Sequence, residues 1–500
     1  MELQLSYFLI PVLALLFCFF LHAHRKKGKT KGLPPGPWKL PFIGNMWCLV
    51  GSAPHRALRD LAREYRPLMH LQLGEVSAVI VSTPQMAKEF MKTHDLAVAD
   101  RQQVLAVKII LYDCEDIAFS RYGNYWRQMR KICTLELLTA KKVQSFHAIR
   151  EEEVCHLIES IQSSVGSPIN LTEKIFALLN VVSCRVTVGR RCKHQDILIQ
   201  QIKLTALLAG GFDIADLFPS YKYLHFLTGL RPKLLKIHHK VDQILDDIIR
   251  EHRENIEIRK KENIGETEED LVDVLLRLQA SAGLEFPITS NHIKAITMDM
   301  LSAGTETSSR TIEWAMVEMI RNPGVLEKAQ AEIRRVLKGK KIVHEVDIQD
   351  LSYLKLVIKE TLRLHPPFPL LLPRQCREEC EIEGFRIPVN TKVYINAWAI
   401  GRDPDYWNDA ESFIPERFEN TSLDFTGNSL EYIPFGAGRR ACAGTSLGIA
   451  NVELPLVQLL YHFNWKLPSG IKPEHLDMTE TLGATAGRKE NLLVIATSNS

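Results

Sequence analysis

Apolar and polar positions divide the chain unevenly. Residues 5–21 are almost wholly apolar, broken only by Ser6 and Pro11, and the basic run Arg25, Lys26, Lys27, Lys29 and Lys31 follows. Seventeen residues is the lower limit for a helix that crosses a bilayer. A cleaved signal peptide carries its cations before the apolar run, whereas here Glu2 precedes it and the cations come after. The pattern predicts an uncleaved membrane anchor over 1–24, and the cations beyond it place the rest of the chain in the cytosol. Two N-x-S/T sequons, at Asn170 and Asn420, would be unused in that orientation.

A basic, proline-rich hinge over 25–40 comes next, because proline fixes φ and cannot continue a helix. The globular region is expected over 41–500. Within it, 69–81 alternates around Gly74 and reads as a β-hairpin. A second β-rich stretch spans 380–398, with turns at Glu383-Gly384 and over 388–390. Helical periodicity covers 52–66, 84–94, 137–163, 232–262, 291–320, 324–337 and 447–461. The charged segment 251–270 is polar on all sides, which predicts a solvated loop or a frayed helix end. The expected class is mainly α with a smaller β-rich region.

Composition narrows the function. At 500 residues the chain can bury a large core, and 46% hydrophobic with 24% charged residues is ordinary for a globular protein. A net charge of +3, with no basic stripe interleaved with aromatics, gives no case for a nucleic-acid partner. The ten cysteines form no C-x-x-C pair, and Cys376 and Cys380 have no histidine at metal-site spacing. That scatter suits a reduced, cytosol-facing protein.

The stretch 435–444 reads Phe-Gly-Ala-Gly-Arg-Arg-Ala-Cys-Ala-Gly. Gly436, Gly438 and Gly444 allow a tight loop pressed against a flat group. Cys442 lies beside cations and ahead of a helical run, conditions that lower a thiol pKa and favour the iron-ligating thiolate. By itself a lone cysteine of this kind reads first as a buried core thiol in a glycine-rich turn. Phe435, Gly438, Arg440, Cys442 and Gly444 together match the signature Phe-x-x-Gly-x-Arg-x-Cys-x-Gly, and here the chain resembles a cytochrome P-450, a haem-thiolate monooxygenase. The resemblance implies the fold of that family, with a single haem b between two long helices. It further implies that Cys442 is the proximal iron ligand, that Phe435 shields it and that Arg440 pairs with a haem propionate.

Other elements follow in the family's order. Trp126 and Arg130, four apart on one helix face, can both donate to a carboxylate, or form a simple cation–π pair. The resemblance assigns them to a propionate. Ala303-Gly304-Thr305-Glu306-Thr307-Ser308 is rich in poor helix formers, which predicts a locally widened helix. Its hydroxyls could equally bond back to carbonyls one turn earlier. By resemblance, Thr307 steadies dioxygen during its activation and Glu306 relays protons. Glu360 and Arg363 are either a surface pair or, with Arg417, the family's buried network. Residues 365–374 should run extended, with Arg374 as a further propionate donor. Ala443 stands where plant members have proline, Arg66 and Arg121 where they have Gly and Pro, and Gln375 where they have Glu.

The wording of several segments is similar to the plant microsomal branch that oxidises terpenes, which implies the endoplasmic reticulum membrane, O2, and NADPH–cytochrome P-450 reductase as electron donor. Lys131, Lys141, Lys142 and Arg439 are candidates for a cationic face toward that reductase. The substrate-lining segments map to 101–117, 206–218, 293–303, 367–372 and 482–487. They carry Val104, Leu105, Val107, Ile109, Ile110, Leu207, Leu208, Ile296, Met300, Ala303, Phe368, Leu370, Leu371, Leu482, Ala484 and Thr485, with Lys108 and Asp299 as charged exceptions. Such a set suits a hydrophobic terpene. Within the fold an alkaloid or phenolic oxidase is the alternative. An O2-independent haem-thiolate isomerase or dehydratase, or a haem sensor, ranks behind.

Overall fold

In the computed structural model, residues 32–498 are described apart from 211–212, 222–227, 263–268, 282, 341, 469 and 482. The expected anchor over 1–24, the basic run Arg25, Lys26, Lys27, Lys29 and Lys31, and Leu482 lie outside the described residues. No helix among the described residues is long and apolar enough to cross a membrane.

The proline-rich segment is docked rather than free. The Pro35 carbonyl accepts from the His70 N–H at 2.8 Å, and the Asn45 amide donates to the carbonyls of Pro37 and Trp38 at 3.0 and 2.9 Å. A Cβ on Gly36 would lie 2.0 Å from the His70 carbonyl oxygen, so only glycine allows this approach. The segment thus lies along strand β1 (Leu68–Leu73), which pairs antiparallel with β2 (Val76–Val81) in the expected hairpin. Gly74 at φ +60° makes its turn. Strand β2 pairs in parallel with β8 (Lys392–Ile395), and the sheet is completed by β5 (Arg374–Gln375) and β3 (Asp100–Arg101), in the order β1-β2-β8-β5-β3. The 380–398 stretch also yields the small hairpin β6 (Cys380–Ile382) and β7 (Phe385–Ile387), whose turn sits at Glu383 and Gly384, both at positive φ. A third sheet joins β4 (Pro168–Asn170), β10 (Leu493–Ser498) and β9 (Phe463–Lys466).

Helices make up the rest. The longer ones are α1 (Pro54–Ala62), α2 (Asn124–Glu136), α3 (His147–Gln162), α4 (Leu171–Val188), α5 (Gln195–Leu208), α6 (Leu230–Glu262), α7 (Leu271–Ala280), α8 (Ser290–Arg321), α9 (Pro323–Val336), α10 (Ser352–Leu364) and α11 (Thr445–His462). The periodic run 137–163 is two helices, Ala140–Ser145 and α3, broken at Phe146. The 84–94 run is helical over Pro84–Lys88 and then opens into a wider turn over Glu89–Thr93. The charged segment 251–270 corrects the loop expectation in part, because α6 continues to Glu262. Its otherwise solvated turns are tied down by His252, whose Nε2 lies 2.9 Å from Asp270, the N-cap of α7. Asn170 of the first sequon is also an N-cap, accepting from the Glu173 N–H at 3.2 Å at the start of α4.

Helix α8 is the axis of the molecule. A Thr289–His292 capping box starts it, and its 32 residues span about 48 Å at 1.5 Å per residue. It is surrounded rather than amphipathic, with Ile312, Trp314, Ala315, Met316 and Val317 all fully buried. Helices α4, α10 and α11 pack along it. The Trp314 indole N–H donates to the Ala486 carbonyl at 2.9 Å, and its ring stacks on His365 with centroids 4.0 Å apart.

Candidate active site

The cysteine loop leads into α11. Its tight bend is set by Gly436 at φ +71° and Gly438 at φ +69°, and a Cβ on Gly438 would meet the Met91 carbonyl oxygen at 2.0 Å. The Cys442 N–H donates to the Phe435 carbonyl at 2.9 Å, which closes the loop. Gly444 then serves as N-cap of α11. The Cys442 side chain is screened from bulk solvent but open to an internal cavity, so it is accessible while being surrounded by protein. Burial pushes the thiol up from its ordinary value, against the Gly444 N–H, the Thr445 hydroxyl and the Arg130 charge, which pull it down. The expected lowering by neighbouring cations is therefore corrected for the protein alone: desolvation outweighs them.

That cavity has a volume of about 290 Å³ and runs between the cysteine loop and α8, roofed by residues of α4 and α5. One edge is strongly cationic. Arg440 donates to the carbonyls of Ala99 (2.7 Å) and Ser120 (2.6 Å), Arg130 to Ala441 (2.6 Å) and Arg374 to Ala437 (2.8 Å). Arg374 also pairs with Asp95. Trp126 lies between two of these groups, with Arg440 4.3 Å and Arg130 5.3 Å from its ring, and its N–H donates to the Ile117 carbonyl at 2.9 Å. Arg101, which the sequence reading passed over, is a fourth cavity-lining guanidinium. It is a lone arginine in a two-residue strand, and no spacing signal marks it.

These four guanidinium groups are more cationic than their surroundings can compensate. Burial lowers the pKa of all four; Arg440 falls to about 9, through burial and then the Arg374 charge. Burial followed by Arg440, Arg374 and Arg130 drives Arg101 down furthest. An anionic group bearing two carboxylates at this edge, with the Cys442 thiol open to the same cavity, satisfies that imbalance. The residues present fit a haem.

On the opposite wall, α8 is a continuous α-helix through 303–308, so the expected local widening is not found. Tight packing accounts for it: a Cβ on Gly304 would lie 2.8 Å from the Ser183 hydroxyl of α4, and the helix has no room to open there. The Thr307 hydroxyl lines the cavity and donates to the Ala303 carbonyl at 2.8 Å. The buried Glu306 accepts from Arg310 and from the Thr485 hydroxyl, both at 3.0 Å, while its second oxygen has no partner.

Among the expected substrate-lining residues, Met300, Ala303, Phe368, Leu371 and Thr485 do line the cavity, as does Asp299. Val104, Val107, Ile110 and Ile296 are core, Lys108 points to solvent, and Leu207 is exposed. Leu370 and Ala484 border a small separate hollow. The Glu360–Arg363 pair is the buried network, not the surface pair. Arg363 donates to both Glu360 oxygens at 2.7 and 2.8 Å, and Arg417 and the Ile414 N–H add bonds at 3.0 and 2.8 Å.

A model of the cytochrome P-450 family matches residues 34–493. The chain belongs to the cytochrome P-450 family. It is an oxidoreductase of the haem-dependent monooxygenase kind. Premnaspirodiene oxygenase of Hyoscyamus muticus is 58% identical over 486 residues, covering 96% of this chain and 97% of that protein. Desmethyl-deoxy-podophyllotoxin synthase of Sinopodophyllum hexandrum is 52% identical, covering 99% and 97%. Among solved structures, a zebrafish cytochrome P-450 with progesterone superposes with a TM-score of 0.76 at 25% identity, covering 89% of this chain and 100% of that one. This cytochrome P-450 therefore carries the family's fold over essentially all its described residues.

Proposed function

We propose that this cytochrome P-450 hydroxylates a terpenoid, using O2 and two electrons that NADPH supplies through cytochrome P-450 reductase. The observation that carries the reading is a thiol open to a largely apolar cavity, faced across it by Thr307 and flanked by three buried arginines and the half-buried Arg130. Bound haem supplies the oxidising chemistry. Cys442 would hold its iron, with Phe435 lining the same cavity and Gly438 and Gly444 keeping the loop tight. Arg101, Arg130, Arg374 and Arg440 would hold its carboxylates, whereas Trp126, expected as a further donor, spends its N–H on the Ile117 carbonyl and packs between Arg130 and Arg440 instead. Met300, Phe368 and Leu371 bind an apolar skeleton and exclude water. Thr307, whose hydroxyl can turn from Ala303 into the cavity, holds a proton there. Glu306 replenishes it while Arg310 and Thr485 fix the carboxylate. Overall, one oxygen atom enters a C–H bond and the other leaves as water.

Lys131, Lys141 and Arg439 are exposed and Lys142 half-buried, a cationic face for an acidic reductase. The apolar run over 5–21 and its trailing cations support an anchor in the endoplasmic reticulum membrane, with the catalytic domain in the cytosol.

Terpene oxidation is favoured by the apolar lining and by the higher identity to premnaspirodiene oxygenase. A phenolic substrate is the second reading, favoured by the podophyllotoxin-pathway relative. Co-expression with a reductase and a panel of terpene synthases, with mass spectrometry of products, tests the first. Oxidised terpenes are expected; unmodified hydrocarbons beside turnover of a phenolic panel would replace it with the second.

A further inference from the structure

Cys376 and Cys380 stand four apart on the segment that leaves the cationic edge of the cavity after Arg374. In an unbroken strand their Cα atoms would lie about 13 Å apart, at 3.3 Å per residue. The backbone prevents that. Cys376 keeps register with the return strand, its N–H donating to the Thr391 carbonyl at 2.9 Å and its carbonyl accepting from the Asn390 N–H at 2.8 Å. The chain then bends at Arg377 and Glu378 and re-enters the ribbon at Cys380, opposite Ile387 in the β6–β7 hairpin. Both side chains return to one apolar cluster with Ile382, Ile387 and Val393, and there the two thiols are hydrogen-bonded to each other.

The two sulfurs have different surroundings. Cys376 is fully buried, whereas Cys380 is half-buried and reached from solvent. The Cys376 S–H donates to the Cys380 sulfur, which pulls the Cys380 thiol down against burial and the charges of Glu378 and Glu379. The same bond, followed by burial, pushes the Cys376 thiol up. Glu379 is itself paired with Arg386 at 2.5 Å. An accessible sulfur with thiolate character beside a buried thiol is the arrangement of an attacking and a resolving cysteine. The pair is not part of a metal site: among the described residues, the clusters of three or more metal-ligating groups contain neither cysteine.

We propose that Cys376 and Cys380 form a reversible disulfide on exposure to hydrogen peroxide, so that this cytochrome P-450 carries a dithiol modification site beside the strand that bears Arg374. The Cys380 thiolate attacks one peroxide oxygen and the O–O bond breaks. Cys380 becomes a sulfenic acid, and the departing hydroxide takes up the proton that Cys380 had lost, leaving as water. The Cys376 sulfur then displaces the sulfenic hydroxyl, which leaves with the Cys376 proton as a second water while the S–S bond forms. Two thiols have given up two electrons, and one peroxide has become two waters. A dithiol reductant reverses the change by thiol–disulfide exchange. In a reducing compartment such a bond is transient, which suits a response to oxidant rather than a permanent staple. Its formation closes the bend two residues from Arg374, whose guanidinium donates to the Ala437 carbonyl of the cysteine loop at 2.8 Å.

The test uses the reduced, haem-loaded full chain, with imidazole on the iron so that the haem does not consume the oxidant. Equimolar hydrogen peroxide is added, remaining thiols are blocked with iodoacetamide, and the protein is cut with trypsin without reduction. Cleavage after Arg374, Arg377 and Arg386 places the two cysteines on separate peptides, 375–377 and 378–386. The expected product is these peptides joined, lighter than their sum by two hydrogens and parted again by dithiothreitol. It should form about tenfold faster than oxidation of Cys155, an exposed cysteine whose thiol is raised by burial and by Glu159. Cys376→Ser should halt Cys380 at the sulfenic acid, captured by dimedone, and Cys380→Ser should leave Cys376 unoxidised. Absence of the joined peptides in wild type while Cys155 is oxidised overturns the proposal, and so does a joined product that forms no faster than Cys155 oxidises. Capture of dimedone at Cys376 in the Cys380→Ser protein overturns the assignment of Cys380 as the attacking sulfur.

Discussion

Glu360 is the sharpest place to perturb the fold beneath the cysteine loop. Its carboxylate is fully buried and accepts four bonds, two from Arg363, one from Arg417 and one from the Ile414 N–H. Arg363 is as deeply buried and spends its remaining N–H groups on the carbonyls of Gly401, Ala410 and Ser412. Glu360→Ala therefore strands a guanidinium with no anion inside the protein. Breaking a buried pair from one side costs roughly 3–5 kcal/mol, most of it the uncompensated charge. Urea unfolding followed by far-ultraviolet circular dichroism reads the cost, and Trp407, whose ring centre lies 5.1 Å from Arg363, is one of the seven tryptophans that contribute to a parallel fluorescence signal. Removing both charges with Glu360→Leu and Arg363→Met should recover part of the loss, because the deeper guanidinium is no longer bare, while Arg417 keeps its bonds to the carbonyls of Asn408 and Asp409. A single-variant cost below about 1 kcal/mol, or a double variant as damaged as the sum of its parts, would refute the coupled network and return the pair to mere packing.

Three further outcomes follow from the same geometry. Cys442→Ser should fold with unchanged far-ultraviolet circular dichroism but lose the reduced-CO band characteristic of thiolate ligation; an unchanged band would remove Cys442 from the iron. Thr307→Ala should lower product formed per NADPH consumed by about tenfold and release peroxide instead, as loss of a positioned proton donor does; tight coupling in the variant would take Thr307 out of proton handling. At Glu480, burial raises the carboxyl but His55 and Arg56, both 2.9 Å away, outweigh it and hold it at about 2. A carboxyl depressed in the folded state stabilises above its unfolded pKa of about 4.3 and loses that stability as pH falls toward 2. Acid titration of unfolding should show this loss, on the order of 3 kcal/mol, in wild type and not in Glu480→Gln.

What the sequence made legible and what it hid have a common physical cause. The 69–81 hairpin was readable from its own residues because it is local, an alternation around one glycine, whereas the Cys442 loop and the Glu360–Arg363–Arg417 network were read through the family resemblance, since one thiol in a glycine-rich turn or two charges a helical turn apart also describe a core cysteine or a surface pair. Helix α4 was missed because burial on several sides removes the periodic contrast that marks an amphipathic helix; Leu171, Ile175, Leu178, Leu179 and Val182 are all buried. Helix α5 buries one face, but that face carries Gln201 and Thr205 while Leu207 is exposed, so its sequence shows little contrast. The expected widening of α8 failed for a related reason. Propensity counts Gly304 and the hydroxyls as weak points, but a packed neighbour decides whether a helix opens, and Ser183 occupies the space at Gly304. The cavity shows the same division more finely. A helix offers only part of each substrate-lining segment to the ligand, so Met300 and Ala303 reach the cavity while Ile296, on the same helix, is core. Arg101 joined the cationic edge without any motif, since its neighbours Arg130, Arg374 and Arg440 come from three other parts of the chain. A site assembled from groups distant in sequence is visible one residue at a time before folding. Its excess of positive charge, which is what asks for a bound anion, exists only once the four are brought together.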